Sequence, residues 1–318
     1  EAHQILLKAA SNSSGLTGVP SGYHKLDEIT SGWQNSDLVI IAGRPAMGKT
    51  SFALSIAKNI AVDYHKPIAF FSLEMDSVQL VNRLISNVCE ISGKKILSGQ
   101  LSPDEWERFD SNVRKLRGAP IYIDETPSLS IFELRTKARR LKKEHGIEVL
   151  MIDYLQLMTA SGMKTNSRQE EVSAISRSLK GLAKELGIPI LALSQLSRDL
   201  EKREGIEGKR PQLSDLRESG AIEQDADMVL FVHRPEYFHI YDDGHGHDMH
   251  GMAQIIIAKH RKGATGDVTL RFRGEFTRFS NPEDEPQDNF QLPDGMGGEI
   301  IGSRINGEFP SDNNQPPF

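Results

Sequence analysis

The stretch Gly43–Thr50, GRPAMGKT, limits the fold more than any other part of this 318-residue chain. It matches G-x-x-x-x-G-K-[ST], follows the apolar run DLVIIAG at 37–43 and opens a helical run, SFALSIAKNIAVDYH. Glycines let the backbone turn tightly, so successive N–H groups can point at phosphate oxygens, and the helix N-terminus adds a favourable dipole. In such a loop Lys49 reaches the β- and γ-phosphates of a nucleotide, and the Thr50 hydroxyl ligates Mg²⁺.

Strand-like segments recur along the chain at 37–43, 67–75, 120–125, 149–158, 189–197, 227–235 and 252–260. Most are continuous apolar runs, which indicates burial on both faces and hence a mainly parallel sheet. Helical segments separate most of them. Ser102 with Pro103 and Glu105, and Ser130 with Glu133, form capping boxes that start two of these helices. The expected architecture is α/β, a twisted, mainly parallel sheet flanked by helices. The segment GDVTLRFRGEFTRFS alternates apolar and polar residues and predicts a terminal hairpin at the sheet edge. Two polar stretches, 159–168 and 197–213, are too long for simple connectors and are candidates for function or disorder.

The formal net charge is −6, but residues 281–318 hold eight acids against one base. The acidity therefore belongs to a tail rich in Pro, Gly, Asn and Asp, expected to be disordered, and leaves room for a basic surface on the body. A single cysteine, Cys89, excludes a disulfide framework, reads as core, and fits a reducing, cytoplasmic setting. No apolar run reaches the roughly 18 residues of a membrane span, so no membrane partner is expected. The chain opens at Glu1 without methionine and is read as a piece of a longer protein.

Further charged residues close the apolar runs. Asp153 ends VLMID, the Walker B position that anchors Mg²⁺ opposite Thr50. Tyr154 occupies the position where many such proteins carry a glutamate, so the base that activates water must come from another strand. Glu74, at the end of AFFSLE, is the candidate. Gln195, ending LALSQ, can hydrogen-bond the water or the γ-phosphate. IIIAKHRKG at 255–263 places Lys259, His260, Arg261 and Lys262 on the end of a buried strand. No obvious anion for them is visible in the sequence, which suggests the nucleotide of a neighbouring copy.

The ordered set GRPAMGKT, FFSLEM, MIDYLQLM, LSQLSR, SDLRESGAIEQDAD and IIIAKHRKGATG, spanning roughly 16–280, resembles the RecA-like motor domain of bacterial replicative DNA helicases of the DnaB family. The resemblance implies an ATPase that forms a homo-hexameric ring around single-stranded DNA, moves 5′→3′ and unwinds duplex. It implies that Gly43, Ala46, Gly48, Lys49, Thr50 and Ser51 hold ATP, with Mg²⁺ on Thr50 and Asp153. Glu74 would be the catalytic base, assisted by Lys49 and Gln195, with Arg83 joining the nucleotide site. Lys259, His260 and Arg261 would reach a neighbour's γ-phosphate, Arg261 as the arginine finger. Arg217, Glu218 and Gly220 would contact the DNA backbone. Residues 1–15 would be the remnant of a linker helix, 16–280 the motor and 281–318 the tail. A primase and a helicase loader are expected partners of the full-length protein.

Other readings carry different tests. A RecA-like recombinase or clamp would hydrolyse ATP without unwinding, and a P-loop regulator would not hydrolyse it at all. The loop bearing Arg198, Lys202, Arg203, Lys209 and Arg210 can line a DNA channel or be an ordinary solvated loop. His239, His245, His247 and His250 are read as a mobile loop rather than a metal site. Trp33 and Trp106 are read as packing residues, and Asp124 and Glu125 are given no chemistry.

Overall fold

The computed structural model describes residues 15–284, apart from 161–166, 198–199, 201, 204, 243–245 and 247. Only the backbone is described at 206–207 and 217–219. The linker remnant at 1–14 and the tail beyond 284 fall outside these residues.

Among the described residues nine strands form one sheet: β1 (Leu38–Gly43), β2 (Ile68–Ser72), β3 (Ile121–Asp124), β4 (Val149–Asp153), β5 (Ile190–Gln195), β6 (Met228–His233), β7 (Met252–His260), β8 (Gly266–Arg273) and β9 (Arg278–Ser280). Their order is β3-β2-β4-β5-β1-β6-β7-β8-β9. The first six in that order pair in parallel, and β7 to β9 add an antiparallel edge. β1 lies at the centre because both its faces are apolar. Val39 and Ile41 enter one core, and Leu38, Ile40 and Ala42 enter the other. The period of two in a strand sends alternate side chains to opposite faces, so a continuous apolar run is covered on both.

The helices are α1 (His24–Thr30), α2 (Lys49–Lys58), α3 (Ser77–Cys89), α4 (Gly93–Ser98), α5 (Pro103–Arg117), α6 (Ile131–His145), α7 (Arg168–Leu186), α8 (Gly205–Lys209) and α9 (Gly220–Asp225). α2 and α3 supply Phe52, Ile56, Leu80 and Leu84 to the first core. α6 and α7 supply Leu134, Ala138, Ile175 and Leu179 to the second. Both expected capping boxes form, Ser102 with Glu105 at α5 and Ser130 with Glu133 at α6. The expected hairpin is β8 and β9, joined through a 3₁₀ turn at Gly274–Phe276.

Several expectations change. The run 67–75 stops being a strand at Ser72, because the Ser72 hydroxyl donates to the Met75 carbonyl at 2.7 Å and bends the chain. The run 149–158 stops at Asp153, with a cis Asp153–Tyr154 peptide and a 3₁₀ turn at Leu155–Leu157. Within 197–213 the chain forms α8, and a 3₁₀ turn follows at Leu213–Ser219. Trp33 is fully buried as expected, but Trp106 is 52% exposed and only meets Phe109 edge-on. The packed body continues to Asn281, whose side-chain amide donates to Gly22 O and whose side-chain oxygen accepts from His24 N.

Around the histidines, Tyr241 stacks on His250 with centroids 4.4 Å apart, and Met249 is buried. His239, Tyr241, Asp242, Asp248 and His250 around it are exposed. Among the described residues no three His, Cys, Asp or Glu side chains gather as metal ligands.

Candidate nucleotide site

In parallel α/β sheets, ligands sit at the carboxyl ends of the strands, where connections diverge to opposite faces. Here those ends are Gly43 of β1, Ser72 of β2, Asp153 of β4 and Gln195 of β5. A cleft of about 560 Å³ opens above them. Its lining includes Ala46, Gly48, Lys49, Thr50, Ser51, Glu74, Arg83, Asp153 and Gln195. Separate motifs, together with the family resemblance that supplied Arg83, placed all of these in one expected site.

The loop from Gly43 to Thr50 follows from its residues. Gly48 caps α2 at φ +89, a conformation that suits glycine, and a Cβ there would lie 3.3 Å from the Phe279 ring. Ala46 also takes a left-handed conformation, φ +66, which costs energy for a residue with a Cβ. Gly43 does not line the cleft; it meets Lys49, whose ammonium donates to Gly43 O at 2.8 Å and to Arg44 O at 3.2 Å.

Electrostatics concentrate at the floor. The Thr50 hydroxyl donates to Asp153 Oδ2 at 2.8 Å. Burial pushes the Asp153 carboxyl up to about 6, against that hydrogen bond, and the charge of Glu74 adds to the rise. Burial also lowers the Lys49 ammonium, opposed by Asp153 and Glu74. A buried acid and a partly buried lysine therefore sit at the floor, with the exposed Glu74 beside them at the cleft mouth. A hydroxyl and a carboxylate side by side offer the hard oxygens that suit Mg²⁺. Gln195 is positioned by Gln156, which accepts from Gln195 N at 3.3 Å and donates to Ser194 Oγ at 2.9 Å.

Residues 18–281 match the family described as DnaB-like helicase C terminal domain. The chain belongs to that family. It is 46% identical over 280 residues to the replicative DNA helicase DnaB of Geobacillus stearothermophilus, covering 88% of this chain and 60% of that protein. It is 45% identical over 268 residues to the replicative DNA helicase DnaC of Bacillus subtilis, covering 84% and 57%. The chain thus spans about 60% of the curated relatives it matches. A solved ATPase domain superposes with a TM-score of 0.80 at 38% identity, covering 88% of this chain and 96% of that one. A DnaB-like replicative helicase, solved for its interactions with primase, gives 0.79 at 38% identity, covering 88% and 67%. This is a RecA-like ATPase fold, and the cleft is its candidate nucleotide site. Among the described residues no helix is long and apolar enough to cross a membrane.

Lys259, His260 and Arg261 do not reach this cleft. β7 runs antiparallel to β6, with Val229 opposite Lys259 and Met228 opposite His260. That register carries the basic end to the amino-terminal edge of the parallel strands, about 20 Å from the phosphate loop at roughly 3.3 Å per residue. The idea that the basic strand end lacks an anion within the chain is overturned for Arg261 and Lys262. Arg261 Nη1 donates to Asp227 Oδ1 at 3.3 Å, and Lys262 reaches Asp37 Oδ1 at 2.7 Å. Lys259 and Arg261 also donate to the carbonyls of Glu223 and Gln224 in α9. Asp37 and Asp227 were hidden from sequence reading because the sheet, not the sequence, brings them beside β7.

Arg217 and Glu218 lie in the 3₁₀ turn that leads into α9 at Gly220, and Gly220 is exposed. Of the basic loop, Arg203 pairs with Asp215, and Arg210 with Asp267 at 2.5 Å. Asp124 accepts from Lys137 at 2.6 Å, and Glu125 accepts from the Ser77 N–H, both local structural contacts. Arg44, Pro45 and Tyr154 also line the cleft, as do four residues that sequence reading missed, Arg234, Phe272, Gly274 and Thr277. The last three arrive from the antiparallel edge, and no strand–loop–helix motif marks them.

Proposed function

We propose that this chain is the ATP-hydrolysing motor of a replicative DNA helicase, working as a homo-hexameric ring that moves 5′→3′ on single-stranded DNA and unwinds the duplex. One observation carries the reading: Lys49, Thr50, Glu74, Asp153 and Gln195 line one cleft, while Lys259, His260 and Arg261 stand at the opposite edge of the sheet. A chain arranged so can offer its nucleotide to one neighbour and its basic strand end to another.

In this reading Ala46, Gly48 and Ser51 of the phosphate loop cradle the phosphates, Gly43 holds Lys49 through its carbonyl, and Lys49 balances the phosphate charge. Thr50 and Asp153 would hold Mg²⁺, which would neutralise phosphate charge. Glu74 takes the proton of the attacking water, Gln195 hydrogen-bonds the water or γ-phosphate, and Arg83 supports the bound nucleotide. Arg261 of an adjoining copy, with Lys259 and His260 beside it, stabilises charge on the transferring group, an effect on the order of 10³–10⁵ in rate for such arginines. It must leave Asp227 to do so. Arg217, Glu218 and Gly220 contact the DNA backbone, which suits a motor that ignores sequence. The full-length protein would meet primase and a loader in the cytoplasm.

The test is strand displacement on a 5′-tailed fork with ATP, using a preparation that light scattering shows to be a ring. Hydrolysis stimulated by single-stranded DNA together with unwinding supports the reading. Hydrolysis by rings without unwinding replaces it with a DNA-bound clamp or recombinase.

A further inference from the structure

β6 lies beside β1, and Phe231 pairs with Ala42. Three residues on, the same register sets Arg234 level with the middle of the phosphate loop. The Arg234 guanidinium lines the nucleotide cleft, with its carbon 4.3 Å from the centroid of the Phe272 ring. Its Nη1 donates to Ala46 O at 3.4 Å, the long end of the hydrogen-bond range. Its Nη2 lies 3.8 Å from Glu236 Oε2, a carboxylate oxygen that also accepts from Gly251 N at 3.3 Å. The Nε is buried and has no hydrogen-bond partner among the described residues.

A guanidinium carries five N–H donors and cannot give up its charge under ordinary conditions. Arg234 is four-fifths covered yet spends those donors on one long hydrogen bond and one stretched ion pair. A cation so placed and so weakly satisfied is matched by an anion entering the cleft. The Phe272 ring below and Glu236 beside it fix the plane of the fork, so little freedom is lost when an oxygen docks. Burial lowers its proton affinity, with Glu236 and Tyr237 opposing.

We propose that Arg234 binds a phosphate oxygen of the nucleotide held by its own chain, exchanging its long contact with Ala46 for a charge-assisted one. This makes it a binding residue acting in cis, distinct from Arg261 at the far edge. The inference rests on the cleft being an ATP site.

The experiment is equilibrium binding of a fluorescent ATP analogue with Mg²⁺ to the full chain, alongside its nucleotide-free melting midpoint. Arg234→Ala and Arg234→Gln are both expected to weaken binding about tenfold or more, the size of a lost charged hydrogen bond. Arg234→Lys should recover part of it, with midpoints little changed. Glutamine can still donate to Ala46 O but has no charge. Full binding by Arg234→Gln would make Arg234 a loop support only and overturn the proposal, as would Arg234→Ala binding within about twofold of the parent. Lys49→Ala separates the two ideas. If the parent binds and Lys49→Ala does not, the ATP reading stands whatever Arg234 does. If the parent binds no ATP, both fall.

Discussion

The Thr50 hydroxyl donates to the Asp153 carboxylate across 2.8 Å, joining residues 103 positions apart. The bond ties the first turn of α2 to the end of β4, with β5 between β4 and β1 in the sheet. It sets side by side the two oxygens proposed to hold Mg²⁺. The nearby Glu74 charge helps to raise Asp153, so the same cluster that favours a cation disfavours a second bare carboxylate.

Glu74→Gln should keep ATP binding and lose nearly all turnover. The substitution keeps the shape and removes a charge that burdens Asp153, so Mg²⁺-ATP should bind as well or better. Turnover should fall by about 10²–10⁴, the usual contribution of a general base. Steady-state ATPase with single-stranded DNA, paired with nucleotide binding, checks it; undiminished turnover would remove Glu74 from the base role.

Arg261→Ala alone and Lys49→Ala alone should each be inactive as rings, while a mixture should regain some ATPase. In mixed rings one interface can combine an intact phosphate loop with an intact Arg261. Since Arg261 is nearly half exposed where it pairs with Asp227, its removal should change stability by no more than about 1 kcal/mol. A mixture as inactive as its components would argue that Arg261 does not act on a neighbour.

Lys180→Met should destabilise the fold by about 3–5 kcal/mol, the cost of breaking a buried pair from one side. Lys180 reaches Asp227 Oδ2 at 2.5 Å and Ser36 O at 2.7 Å, and lies 4.0 Å from Asp37. Asp37 and Asp227 are almost fully buried, so Arg261 and Lys262 would be left to balance them. Urea denaturation at neutral pH measures this; an unchanged midpoint would mean those two cations suffice.

His233 should make the protein acid-sensitive between pH 6.5 and 4. Burial holds this imidazole down to about 4, helped by Arg210 and opposed by Asp267. The ring stacks on Phe238 with centroids 5.7 Å apart. Its folded value lies below its unfolded one, so its stabilisation is complete above pH 6.5 and is lost as pH falls toward 4. The loss is about 2–3 kcal/mol by pH 4.5. Urea midpoints at pH 7 and 4.5 should converge for His233→Gln relative to the parent; parallel shifts in both proteins would place the acid sensitivity elsewhere.

The sequence by itself determined the mainly parallel sheet and, with the family resemblance, most residues of the candidate nucleotide site. Short, continuous apolar runs alternating with helical segments fit strands covered on both faces, and the residues that end them, Asp153 and Gln195, emerge at the edge where GRPAMGKT turns. Strand ends were less legible. Ser72 closes β2 two residues before Glu74 through a side-chain bond that no periodicity reveals. Only the tertiary structure decided the company that the charged residues keep. Strand pairing brings Asp37 and Asp227 beneath Lys259, Arg261 and Lys262, and it brings Arg234 and Phe272 to the phosphate loop. A lysine or arginine in a sequence carries its charge openly, but whether that charge is met depends on residues tens to hundreds of positions away, which only the order and direction of strands can set beside it.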